Sequence, residues 1–142
     1  MGLIVVDTTV LLYAVGENHP LQEPCRRFVD MVGDGLPATT TLEVIQEFSH
    51  VRSRRRTRQD AAKLARAFAG LMSPLLAPVT DDLLEGLALF EGRDDLGSFD
   101  SVLAAVCLRR SLTLTSADRA FASVPGLSTV VPGTPEFDAL LL

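Results

Sequence analysis

The 142-residue sequence predicts an α/β fold built on a small parallel sheet. Short β-rich runs alternate with longer helical patterns, the arrangement of consecutive βαβ units. Pro and Gly gather between those runs, in "GDGLP", "VPG" and "VPGTP", where punctuation belongs. A hydrophobic fraction of 47% beside 22% charged residues is that of an ordinary globular chain, and nothing in it is repetitive or of low complexity.

The elements follow in order. Residues 3–6 form an apolar run that stops at Asp7, the first predicted strand. A helical pattern over 20–32 leads to a second strand at 37–40. Helices over 41–55 and 59–72 precede a third strand at 76–79, and another over 81–91 precedes the most apolar helix, 98–110. Strands at 112–115 and 128–131, with a short turn near 117–122 between them, complete four to five strands. Right-handed crossovers then place helices on both faces, giving three α/β/α layers. At this length one domain spanning 1–142 is expected, able to bury roughly 68% of its unfolded surface without staples.

No apolar run approaches a membrane-spanning length, and the N-terminus enters a strand without the pattern of a signal peptide. Cys25 and Cys107 lack the close spacing of a zinc or redox pair, and each falls in an apolar helical pattern. Two buried free thiols, suited to a reducing cytoplasm, are expected.

In open α/β sheets ligands gather beyond the C-terminal ends of the strands. Asp7 stands at such an end, and Asp118, in "LTLTSADRAF", at another, with Ser116 as a predicted N-cap. Asp100 opens the helix of "LGSFDSVLAAVCL", with Ser98 as its predicted cap. An acid in a first helical turn also has a bland role, complementing the helix dipole by ~0.3–1 kcal/mol. A strand-terminal Asp such as Asp7 is less easily explained that way. A fourth acid comes from "TLEVIQEFSHVRSRR", where Val44, Ile45, Phe48 and Val51 define the apolar face. At 100° per residue Glu47 falls about 90° from the centre of that face and Glu43 about 130° from it. Glu47 is therefore the inner acid and Glu43 a solvated or outer one.

Four stretches in order, "VVDTTVLLYA", "VIQEFSHVRSRR", "LGSFDSVLAA" and "TSADRAF", resemble the PIN-domain family, most closely its VapC toxins of bacterial toxin–antitoxin pairs. The resemblance implies a Mg²⁺- or Mn²⁺-dependent endoribonuclease whose acidic quartet falls on Asp7, Glu47, Asp100 and Asp118. It also implies an RNA substrate, a VapB-type antitoxin lying over the groove, and a homodimer. Thr9 stands where the family often has Asn or Ser, and keeps a hydroxyl.

Four neighbouring carboxylates raise one another's pKa unless a cation intervenes, and oxygen-only donors select a hard ion. Asp7 and Asp100 are the expected direct ligands, with Asp118 a further metal residue and Glu47 acting through water. Thr9, Ser116 and Glu43 are expected to support them from the next layer.

The net charge is −5, yet five of the 13 basic residues crowd into "RSRRRTR". Arg52, Arg54, Arg55 and Arg56 suit contact with an RNA backbone, since guanidinium groups match phosphate. A solvated helix end complementing the dipole, or contact with an acidic partner, explains them equally well. His19 and His50 lack metal-pair spacing. A catalytically silent PIN-like binding module is the alternative. Phosphoaspartyl chemistry fits less well, because Thr9 replaces the second Asp and the only lysine, Lys63, lies in a helical stretch. No P-loop motif is present.

Overall fold

The computed structural model describes residues 2–142. Its centre is a four-stranded, all-parallel sheet in the order β2–β1–β3–β4. The strands are β1 (Ile4–Val6), β2 (Ala38–Thr39), β3 (Thr113–Thr115) and β4 (Thr129–Val130). Every residue of β1 is buried, as expected of a central parallel strand covered on both faces.

Helices α1 (Thr8–Val15), α2 (Gln22–Gly33), α3 (Leu42–Arg55) and α4 (Arg58–Leu71) supply most of the layers in the first half. Thr41 caps α3 by accepting from Val44 N–H at 3.1 Å, and Thr57 caps α4 through Asp60 N–H at 3.1 Å. In the second half, α5 (Thr80–Glu91) and α6 (Ser98–Arg110) lie side by side, and a short α7 (Pro135–Leu140) closes the chain. The core gathers Phe28, Phe48, Phe121 and Phe137, all essentially inaccessible, around the β1 and β3 side chains. Phe48 of α3 meets Phe68 of α4 edge to face, with centroids 5.1 Å apart. Cys25 and Cys107 are free and buried, as expected, and burial pushes both thiols up to about 12.

Several expectations need correcting. The strand over 76–79 reduces to a single bridge, Leu76 to Thr41, with Leu76 N–H donating to Thr40 O at 2.9 Å. Pro74 and Pro78 bracket it, and a residue without an N–H cannot extend a ladder. Prolines 125 and 132 likewise bracket β4 at the other edge. The apolar run after Asp7 is helix α1, whose side chains are buried or half-buried all round and so carry no stripe. The caps differ too: Gly97, not Ser98, is the N-cap of α6, and Asp118, not Ser116, caps a 3₁₀ turn at Arg119–Ser123.

Two features lock α5 to α6. Asp82 is fully buried and accepts from Arg109 Nε at 3.0 Å, from both Arg110 terminal nitrogens at 2.9 and 3.0 Å, and from Val79 N–H at 2.7 Å. The Arg110 guanidinium, with Val79 N–H, holds its carboxyl below the usual carboxylate range despite burial. Gly86 faces Val102 so closely that an added Cβ would stand 2.6 Å from Val102 Cα. No helix among the described residues is long and apolar enough to cross a membrane.

The close approach at Gly86 makes the helix pair intolerant of even one methyl. Gly86→Ala is expected to destabilise the protein by about 1–3 kcal/mol, the usual cost of overpacking. Urea unfolding of the two proteins measures it; equal midpoints would mean that α5 can shift at no cost.

Candidate active site

The site grows out of the β1–β3 register. Val6 pairs with Thr115, and the ladder runs one residue further, with Asp7 N–H donating to Thr115 O at 2.9 Å. Asp7 and Ser116 therefore end adjacent parallel strands side by side, at the edge where such sheets open to ligands. From there the chain turns directly into α1, Val10 N–H reaching back to Asp7 O at 3.2 Å.

Asp7 is only 3% exposed, and two hydroxyls fix it. Thr9 Oγ1 donates to Oδ2 at 2.9 Å and Ser116 Oγ donates to the same oxygen at 2.6 Å. Each hydroxyl has one proton, so both are spent on Asp7, and the 3.3 Å approach of Thr9 Oγ1 to Ser116 Oγ is proximity alone. Their lone pairs accept backbone N–H groups in turn, Thr9 from Ala117 at 3.0 Å and Ser116 from Asp118 at 3.0 Å. Asp7 Oδ1 accepts no hydrogen bond among the described residues. The strap from β3 to the 3₁₀ turn is thus tied to the first turn of α1.

Asp100 arrives from another direction. Helix α6 runs back toward β3, so its first turn sits at the C-terminal edge of the sheet. Burial, then the charges of Asp7, Glu47 and Asp118 in that order, push the Asp100 carboxyl up to about 7. The four predicted acids are thereby electrostatic neighbours, and no cation figures among the influences on Asp100. Glu47 is half-buried on the second turn of α3 and Asp118 is exposed, its Oδ1 accepting Ala120 N–H at 2.9 Å. Arg93 ties the loop before α6 to the 3₁₀ turn, with Asp95 at 2.8 Å and Ser123 O at 3.2 Å.

Other predicted residues fall elsewhere. Glu43 is half-buried at the mouth of an apolar groove and is not among the charges acting on Asp100. Among the described residues no three His, Cys, Asp or Glu side chains converge tightly enough to hold an ion by themselves. Asp118 Oδ1 is engaged by its cap and Asp7 Oδ2 by the two hydroxyls, while Asp7 Oδ1 accepts no hydrogen bond among the described residues. Arg52 is already held within the fold. Its Nε meets Asp60 Oδ2 at 2.7 Å and its Nη1 donates to Val15 O at 3.1 Å, stapling α3 to α4 and to the end of α1. Arg56 pairs with Glu17 at 2.7 Å, while Arg54 and Arg55 are exposed.

Sequence reasoning passed over two hydroxyls. Thr8 Oγ1 and Ser101 Oγ are buried without a hydrogen-bond partner, and they directly follow Asp7 and Asp100. A hydroxyl residue directly after each of two acids at the ends of buried elements was the available signal.

Fold and site together define an α/β/α protein with an acidic pocket beyond its parallel sheet, and comparison with known proteins says which family it belongs to. The PIN domain family profile matches residues 4–127, and the chain belongs to that family. Ribonuclease VapC7 of Mycobacterium tuberculosis is 46% identical over 142 residues, covering 98% of both chains. Ribonuclease VapC23 of the same organism is 32% identical over 78% of this chain and 88% of its own. Among solved structures, Mycobacterium tuberculosis VapC20, described as a sarcin–ricin loop cleaving toxin, superposes with a TM-score of 0.70 at 14% identity. That match covers 87% of this chain and 98% of the other. VapBC2 from Rickettsia felis, bound to a promoter DNA fragment, gives 0.73 at 12% identity, covering 92% and 98%. At those identities the structures attest the α/β/α fold with its small parallel sheet.

A pH dependence follows. With Asp100 near 7 in the folded protein and near 3.8 in its ordinary state, the folded chain holds a proton that the unfolded chain releases between those values. Stability from this group is complete below the lower value and is lost as pH rises through the upper one. Asp100→Asn, measured in EDTA, should therefore gain melting temperature relative to wild type between pH 5 and pH 8. Parallel pH profiles would show that Asp100 titrates as an ordinary carboxylate.

Proposed function

We propose that this chain is the ribonuclease toxin of a VapBC-type toxin–antitoxin pair, hydrolysing RNA phosphodiester bonds at the Asp7–Glu47–Asp100–Asp118 pocket. The observation that carries this reading is the acid pocket itself: burial first, and then the charges of Asp7, Glu47 and Asp118, raise Asp100, with no basic side chain among the influences on it. The 46% identity to a ribonuclease over nearly the full chain supports it.

The donor set fits a hard divalent ion, Mg²⁺ or Mn²⁺. All donors are oxygens, and the excess negative charge around Asp100 is what a dication relieves. Mg²⁺ takes few direct carboxylates and keeps several waters, which suits a pocket where three acids do not converge. Asp7 and Asp100 are the residues that would hold the ion, with Asp7 Oδ2 already engaged by Thr9 and Ser116. When bound, the ion supplies Lewis-acid stabilisation and a more acidic water. Glu47 and Asp118 orient the attacking water on the phosphorus, and a carboxylate accepts its proton as the bond to the leaving ribose oxygen breaks. Thr9 and Ser116 hold the Asp7 carboxylate in one orientation.

The antitoxin partner is proposed from the toxin–antitoxin complexes among the structural neighbours. The free buried thiols suit a cytoplasmic location. For the homodimer we favour the α5 face, where Leu83, Leu84, Leu87 and Phe90 are 40–57% exposed beside an apolar groove of about 540 Å³. Such a patch on one helix is more than scattered surface apolarity. Its rim carries both signs, Arg109 lying 3.8 Å from Asp81 and from Glu85, so a second copy meets it without net repulsion.

Three experiments test these proposals. Mg²⁺ or Mn²⁺ should raise the melting temperature of wild type and leave Asp7→Asn unmoved. In RNA cleavage Glu47→Gln should lose far more activity than Glu43→Gln, by the order of a 10²–10⁴-fold acid–base contribution. An equal metal response in Asp7→Asn, or the reverse order of the two glutamates, refutes the assignment. Leu84→Glu with Leu87→Glu should turn a dimer into a monomer in light scattering; a monomeric wild type refutes the dimer.

A further inference from the structure

The arginine run does not form one basic surface, and the way it divides is informative. Arg52 is pinned within the fold, and together with Arg55 and Arg56 it borders a pocket of about 290 Å³ that Leu12, Gly16 and Glu17 also line. We infer that this pocket at the end of α1 binds a backbone phosphate of the RNA, a few nucleotides from the bond that is cut. The inference rests on the proposed ribonuclease reading and adds to it where the strand runs.

Three observations lead there. The first is alignment. Helix α1 starts at Asp7 and ends at the pocket, and Thr9, Leu12, Tyr13 and Gly16 lie along one half-buried face at helical spacing. From Thr9 to Gly16 the helix rises about 10 Å, a span that a short stretch of extended single strand covers. A strand whose scissile phosphate reaches the acids and which follows this face therefore delivers a later phosphate to the arginines. Tyr13, stacked on His19 with centroids 4.4 Å apart, borders that path and offers an aromatic surface beside it.

The second is chemistry. Three guanidinium groups and one carboxylate line the pocket, a poor site for an apolar group and a good one for an oxyanion. Arg55 is exposed and makes no ion pair among the described residues. Arg52 is already anchored to Asp60 and to Val15 O, so its charge is held in place at little further entropic cost.

The third is the weak internal partner. Glu17 reaches Arg56 Nη2 at 2.7 Å, but its side chain is 81% exposed, and such a pair contributes little. A phosphate can take over the place of that carboxylate, accepting from Arg56 and Arg55 together. Glu17 then acts as a built-in competitor for the site. It keeps the arginines from binding anions indiscriminately and swings into water when RNA arrives.

Binding of a fluorescein-labelled single-stranded RNA of roughly a dozen nucleotides, followed by anisotropy in EDTA so that nothing is cleaved, tests this separately from catalysis. Wild type, Glu17→Gln and the double variant Arg55→Ala with Arg56→Ala are titrated at several salt concentrations. Glu17→Gln should bind several-fold more tightly. The double variant should bind more weakly, its salt slope shallower by roughly 0.7, the share of one phosphate contact on a single strand. All the substituted side chains are exposed, so unchanged melting temperatures will certify the fold. Unaltered affinity and slope in both variants overturn the inference. That outcome leaves the ribonuclease reading standing, because metal-dependent cleavage is scored apart from it; loss of cleavage with these binding changes intact would sink the reading and keep the pocket.

Discussion

Everything at the acid pocket depends on one hydrogen bond beyond the end of a three-residue strand. Asp7 N–H on Thr115 O continues the β1–β3 ladder by a single step, and that step sets Asp7 beside Ser116. A slip of one residue would turn each side chain to the opposite face. The valines of β1, buried on both sides, make such a slip costly, so the apolar core specifies the position of a polar group at its rim. Helix α1 then begins at once, and its first turn supplies the hydroxyl of Thr9 that shares Asp7 Oδ2 with Ser116.

The same residue type meets two opposite fates in this molecule. Asp82 is fully buried yet surrounded by guanidinium groups, and its acidity is strengthened. Asp100 is partly buried among other acids, and its acidity is weakened toward neutrality. The first arrangement neutralises itself and fastens two helices. The second leaves an electrostatic debt that the protein alone does not settle, and for this reason it is the natural place for chemistry.

Much of this was legible in the sequence. The alternation of strands and helices announced the sheet, and the positions of Asp7, Asp100 and Asp118 at strand ends or helix starts put them on one rim. Helical phase alone selected Glu47 over Glu43, and the charges acting on Asp100 include the former and not the latter. What stayed hidden was set by tertiary partners. Helix α1 was masked because it is buried or half-buried all round and so carries no apolar stripe, and α7 because six residues are too few to show a period. The bridge at Leu76 looked like a strand because apolar composition does not reveal that flanking prolines cut its pairing short. The arginines read as one cluster because spacing along a chain does not show that Asp60 and Glu17 have already claimed two of them.

The two rims of the sheet are sealed in the same way. On one side a lone bridge lies between Pro74 and Pro78, and on the other the two residues of β4 lie between Pro125 and Pro132. Neither offers a run of unpaired amides long enough for an incoming segment to add as a new strand. Strand addition is therefore closed as a route of association, and recognition falls to side chains, a vocabulary of shape and charge that differs from one surface to the next. A bacterium could carry many such proteins side by side without their sheets cross-pairing.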